Sequence, residues 1–115
     1  MTDAVKNKTE ELKYAILNSE EYKNFDMYRR KLNENPELKE QVNRFRAANV
    51  SMQIQKAGVG SVGSVDTQRL ASENEELLNN SLVRDFLNAE LILCKMLQKI
   101  NKMLIADVEL ELDFL

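Results

Sequence analysis

The sequence predicts an all-α fold: an elongated helical bundle with a long C-terminal helix, completed by homodimerisation. Three observations carry this reading. Leu, Glu, Lys, Asn and Ala dominate the 115 residues, with 3 glycines and 1 proline, and most of these residues suit helices. Apolar side chains recur through most of the chain at the spacing of one helix face. The last helix is apolar over more than half its circumference, and so few helices leave little material to surround it. A second copy in a symmetric pair is the simplest way to complete the core.

The elements follow in order. A first helix is predicted from Ala4 to Leu17, with Thr2 or Asp3 as N-cap. Val5, Leu12, Ala15 and Ile16 fall on or near one face. Asn18-Ser19 breaks it, and Ser19 caps a second helix whose first turn holds Glu20 and Glu21, as the helix dipole favours. Tyr22, Phe25, Tyr28, Arg29 and Leu32 follow at helical spacing. Asn35-Pro36-Glu37 is the clearest helix start: Asn caps, and Pro takes a position where no N–H is needed. The third helix is predicted over 36–57, with Leu38, Val42, Ala48 and Met52 within about 60° of Phe45 around the helix. Val50, Ile54 and Ala57 lie on the opposite side, so the end of this helix is apolar on two faces.

Gly58 to Val65 contains all the glycines and reads as a flexible or turning connection. Asp66 is expected to cap a short helix through Leu78, which Asn79-Asn80-Ser81 interrupts. The long helix is predicted from Leu82 to Ala106. Around Leu93, the residues Phe86, Leu97, Ile100 and Leu104 form its main stripe. Ile92, Met96 and Met103 widen it on one side; Leu87, Leu91, Cys94 and Ile105 widen it on the other. Arg84, Asn88, Lys95, Lys99 and Lys102 make a narrow polar strip. The tail from Val108 to Leu115 alternates apolar and acidic residues, a strand-like period. The surface predicted to meet a second copy or a partner comprises Val50, Ile54, Leu87, Leu91, Ile92, Met96 and Met103.

Length fits a single domain over 1–115, within the common range of about 100–150 residues. The chain is 30% charged and 43% hydrophobic, which is ordinary for a folded soluble protein. No apolar run approaches the roughly 20 residues that cross a bilayer. The opening MTDAVKNKTEELK resembles neither a signal nor a transit peptide. The expected location is therefore cytoplasmic, with no membrane partner. Cys94 has no second cysteine to pair with, in keeping with a reducing compartment. The net charge of −3 is uneven: residues 1–57 are mildly basic and residues 58–115 are acidic.

The chain has no histidine. That excludes Ser-His-Asp and Cys-His catalysis and the His-containing zinc sites. Cys94 sits in Leu91-Ile-Leu-Cys-Lys-Met-Leu97 and is expected to be a buried packing residue, with no adjacent base to form a thiolate. Gly58-Val-Gly-Ser-Val-Gly63 matches G-x-G-x-x-G, and Asp85 follows at the distance of a ribose-binding acid. The fingerprint needs a parallel sheet, however, and no second strand accompanies it. No catalytic, cofactor or metal residue is predicted, and the chain is expected not to be an enzyme.

Glu90 is the most informative polar residue. It lies about 60° from Leu93, inside the apolar face, and a buried carboxylate must be paired or protonated. The expected role is structural, paired with an Arg, a Lys or a Tyr hydroxyl. Tyr22 and Arg29 are the candidate partners. An anchor for another protein is the alternative.

Several of these segments together resemble the YlbF/YmcA family of small helical proteins of Gram-positive bacteria. The matching residues are Ile16 with Ser19-Glu-Glu-Tyr22, Leu32 with Asn35-Pro-Glu-Leu38 and Phe45, then Leu78, Asn80, Val83, Phe86, Ala89-Glu90 and the Leu93/Leu97/Ile100 series. The resemblance implies an all-α homodimer with a regulatory or adaptor role. It also implies partners of the kind that YlbF and YmcA have: other members of the family, the protein YaaT, and messenger-RNA processing by RNase Y. Those proteins affect competence, sporulation and biofilm formation. The YlbF/YmcA branch carries cysteines associated with iron–sulfur clusters; here Cys94 stands alone and the tail has none, so no cluster is carried over. Ser81 stands where relatives often have proline, which points to the YheA-like branch.

The competing reading is an RNA-binding helical module that uses Arg29, Arg30, Lys31, Lys39, Arg44 and Arg46. Acidic residues interleave with these, so a solvated face is the default and nucleic acid is not the expected partner.

Overall fold

In the computed structural model the described backbone covers residues 1–59 and 64–108, and the described side chains are those of 1–52 and 68–108. Among the described residues the chain is all-α. The helices are α1 (Asp3–Leu17), α2 (Glu20–Asn33), α3 (Pro36–Val59), α4 (Ser64–Glu73), α5 (Glu75–Leu78) and α6 (Ser81–Ile105). None is long and apolar enough to cross a membrane.

Local chemistry sets most of the boundaries. Thr2 occupies the N-cap of α1 with extended backbone, but its side chain makes no capping hydrogen bond. At the other end the Asn18 Nδ2 donates to the Tyr14 carbonyl at 2.8 Å. The Ser19 hydroxyl serves two helices at once. It donates to the Ile16 carbonyl at 2.6 Å and accepts from the Tyr22 N–H at 3.2 Å. One group thus satisfies an orphan carbonyl of α1 and an orphan donor of α2. The Asn35 cap of α3 is weaker, with its Oδ1 at 3.5 Å from the Leu38 nitrogen.

The Asn80 Oδ1 accepts from the N–H groups of Leu82 and Val83 at 3.0 and 3.3 Å. Asn80 is therefore the N-cap of α6, which begins at Ser81, one residue before the predicted start. It ends at Ile105, one residue before the predicted end.

The glycine-containing connection is shorter than expected. Gly58 and Val59 belong to α3, and Ser64 and Val65 belong to α4. Each residue added to an existing helix gains a hydrogen bond, so a helix runs on past a single glycine at a cost of about 1 kcal/mol relative to alanine. Residues 60–63 lie outside the described residues. Asp66 falls within α4 and is not its cap. Val108 has no regular structure, and the rest of the alternating tail, 109–115, lies outside the described residues.

Two compact units make up the chain. Unit 1 comprises Met1–Asp26 and Asn88–Leu115; unit 2 is Met27–Leu87. In unit 2 the buried residues are Leu32, Val42, Val83 and Phe86, with Val42 and Val83 at 0% exposure. Leu38, Phe45 and Met52 are half-buried on the same face of α3, whereas Ala48 is exposed. The guanidinium of Arg46 lies over the Phe86 ring, 5.5 Å from its centroid. In unit 1 the buried residues are Ala89 and Leu93. Leu12, Ile16, Tyr22 and Phe25 are half-buried there, while Val5 and Ala15 are exposed. The Tyr22 and Phe25 rings sit 6.5 Å apart and tilted by 50°.

Candidate interaction surface

The C-terminal part of α6 is the feature that departs most from a closed fold. Ala89 and Leu93 are buried. Beyond Leu93, no residue of α6 is buried. Leu91, Ile92, Leu97, Met103, Leu104 and Ile105 are all exposed, from 41% at Leu97 to 68% at Met103. Met96 and Ile100 are half-buried. A helix face of this composition normally has a cover. Isolated exposed leucines need no explanation, but a contiguous apolar patch marks a contact surface.

The predicted partner residues separate into three groups. Leu91, Ile92 and Met103 are exposed on α6, and Val50 is exposed on α3. Leu87 and Met96 are half-buried, so their own chain covers much of them. Ile54 lies on α3, and its side chain lies outside the described residues.

Two expectations are corrected. Cys94 is exposed and does not pack in a core. Glu90 is half-buried where full burial was expected, and it is engaged in an interaction. The cause is common to both: periodicity identifies the apolar side of a helix, but not whether one chain has enough material to cover it. Of the candidate partners for Glu90, Tyr22 is half-buried and Arg29 is exposed.

A family model described as control of competence regulator ComK, YlbF/YmcA, matches residues 5–109 of the chain. The chain belongs to the YlbF/YmcA family. The match takes in all of α2 to α6, with the exposed apolar series of α6, and all but the first two residues of α1. The family is a regulatory one. Comparison with curated proteins and with solved structures gives no match.

In this YlbF/YmcA-family chain the basic residues of unit 2 are interleaved with partners. The Arg44 Nη2 meets the Glu40 Oε1 at 2.6 Å. The Arg46 Nη1 donates to the Asn43 Oδ1 at 3.3 Å. The Lys31 ammonium lies 5.8 Å from the Tyr28 ring centroid. Exposed pairs of this kind contribute little stability, and they dilute the local positive field.

Sequence reasoning missed a cleft in unit 2. Leu38, Gln41, Glu73, Asn74, Glu76, Leu77 and Asn80 line it, with a volume of about 380 Å³. No spacing rule brings α3 beside the α4–α5 turn, so no sequence signal announced it. Among the described residues, no group of three or more His, Cys, Asp or Glu is placed to hold a metal ion.

Proposed function

We propose that this YlbF/YmcA-family member is a non-enzymatic adaptor that acts through protein–protein contacts. The uncovered apolar series of α6 is its docking face, and a second copy of the chain is the first occupant. The single observation behind this reading is the exposure of Leu91, Ile92, Leu97, Met103, Leu104 and Ile105 on one helix. Burying such side chains gives about 1.5–3 kcal/mol each when complete. A symmetric pair uses every residue twice. Membership of a family of competence regulators supports a regulatory role. Further partners would come from other YlbF/YmcA-type proteins or an RNA-processing complex in the cytoplasm.

Sedimentation equilibrium at micromolar concentration tests the reading. The expected mass is twice 13.3 kDa. A monomer throughout that range would remove the second copy as occupant. Filter binding across a salt series tests RNA separately: steep, salt-dependent retention would favour the RNA-binding alternative.

A further inference from the structure

We infer that the cleft between α3 and the α4–α5 turn receives the cationic side chain of a partner protein, an arginine or a lysine together with its alkyl stem. This rests on the adaptor reading and deepens it by naming the partner's chemistry.

The cleft's volume of about 380 Å³ lies at the small end of ligand-sized cavities, which run about 300–1,000 Å³. It is too small for a folded element, and it has room for a long side chain with its flanking backbone. Its lining divides into two kinds. Leu38 and Leu77 are half-buried and offer apolar wall. Methylene stems of Lys and Arg lie against such surface while their charged heads stay among polar groups. The remaining residues are the carboxylates of Glu73 and Glu76 and the amides of Gln41, Asn74 and Asn80.

The Asn80 Oδ1 is already taken by the Leu82 and Val83 N–H groups, so the acceptors open to a ligand are those of Glu73, Glu76, Asn74 and Gln41. The Asn74 Nδ2 donates to the Leu70 carbonyl at 2.9 Å, which leaves its Oδ1 to accept. Glu76 makes no hydrogen bond or ion pair among the described residues. The Glu73 Oε1 already accepts from the Arg69 Nε at 3.2 Å, so a guanidinium within the chain engages this wall on one oxygen and the other remains. A guanidinium brings five donors and an ammonium three, with no acceptor on either.

Charge points the same way. The lining of the cleft carries two carboxylates and no Lys or Arg, and a wall of that sign draws in a cationic side chain. Two carboxylates in one small cleft repel phosphate, so a nucleotide or an RNA backbone does not fit. No aromatic ring lines it, so a flat ring ligand has nothing to stack on.

Amide proton–nitrogen spectra of the full chain test the inference. The probes are N-acetyl-arginine methylamide, its neutral norleucine counterpart and spermidine. The arginine probe is expected to give saturable shifts of the side-chain NH2 signals of Gln41, Asn74 and Asn80, with a Kd of about 1–10 mM. The double variant Glu73→Gln/Glu76→Gln is expected to weaken this at least tenfold. Both residues are exposed, so its circular dichroism should match the unaltered protein. Equal shifts from the norleucine probe, an unchanged Kd in the double variant, or no saturation would overturn the inference. Binding of spermidine more than tenfold tighter than the arginine probe would also overturn it, by assigning the cleft to a free polyamine. None of these results alters the sedimentation of the unaltered protein, so failure here and failure of the α6 docking face are read separately.

Discussion

Changing Ile92 and Met103 together to alanine should break the self-association without unfolding the chain. Complete burial of either side chain is worth about 1.5–3 kcal/mol relative to full exposure. Ile92 is 47% exposed and Met103 68% exposed in the single chain. The gain still available from covering them is therefore about 0.7–1.4 kcal/mol for Ile92 and about 1–2 kcal/mol for Met103. A twofold axis counts each residue twice. Alanine retains a methyl group and no interface covers every atom, so about 2–4 kcal/mol should be lost. That corresponds to a dissociation constant about 30- to 700-fold weaker. Alanine is also the best helix former, and exposed substitutions usually move stability by no more than about 0.5 kcal/mol. Helicity at low concentration should be unchanged. Sedimentation equilibrium over a concentration series reads the constant, and thermal melting over the same series reads its consequence. The unaltered protein should melt higher as concentration rises, because association stabilises by mass action, and the variant should lose that dependence. A variant whose dissociation constant stays within threefold of the original would refute the assignment of this face, whatever the protein's oligomeric state.

Val42→Ala should cost about 1–3 kcal/mol in urea unfolding, since Val42 is fully buried; a cost near zero would mean that unit 2 repacks freely. Ser19→Ala should cost about 0.5–2 kcal/mol through the lost cap, towards the upper end because the same hydroxyl also bonds the end of α1. Asn80→Ala should cost about 1 kcal/mol and Asn80→Asp little, since only the second retains an oxygen acceptor; equal losses in the two would show that the α6 cap is not what matters. Glu90→Ala should lower stability by about 1 kcal/mol, the modest end for a half-buried polar group, with Glu90→Gln closer to the unaltered protein; an unchanged melting curve for the alanine variant would leave partner contact as the better role for Glu90.

The helices were legible because their punctuation is local. Ser19, Asn35-Pro36 and Asn80 act within three residues of themselves, and a sequence displays such chemistry directly. Thr2 and Asp66 show the limit, since either residue type can cap, yet the Thr2 side chain makes no capping bond and Asp66 falls within α4. The end of α3 was misplaced because glycine weakens a helix without obliging it to stop. The cleft was invisible because Leu38 and Leu77 are brought together by the path of the chain and share no period. The division into two compact units was not legible either, since α2 and α6 contribute residues to both. Glu90 shows a subtler failure. Helical phase placed it correctly among apolar neighbours, but depth of burial depends on what packs above the residue, and phase carries no information about that.

The two parts of α6 differ in what supports them. Its start has a side-chain cap at Asn80 and buried residues at Val83 and Phe86. From Cys94 onward it has neither. The basic side chains there, Lys95, Lys99 and Lys102, are exposed. Lys102, in the last turn, interacts favourably with the helix dipole, but such terms are worth only about 0.3–1 kcal/mol. Among its dozen residues only Met96 and Ile100 are half-buried, so this segment has little tertiary packing, and short helices without such packing are marginal in water. The residues that leave this segment unsupported are the same apolar ones that would gain from a cover. Ordering of the segment and occupancy of its face are therefore thermodynamically linked: whatever covers Leu97, Met103 and Leu104 also stabilises the helix that displays them. Such linkage lowers affinity by the ordering cost and makes it responsive to small changes in helix stability, a property well suited to a regulatory protein.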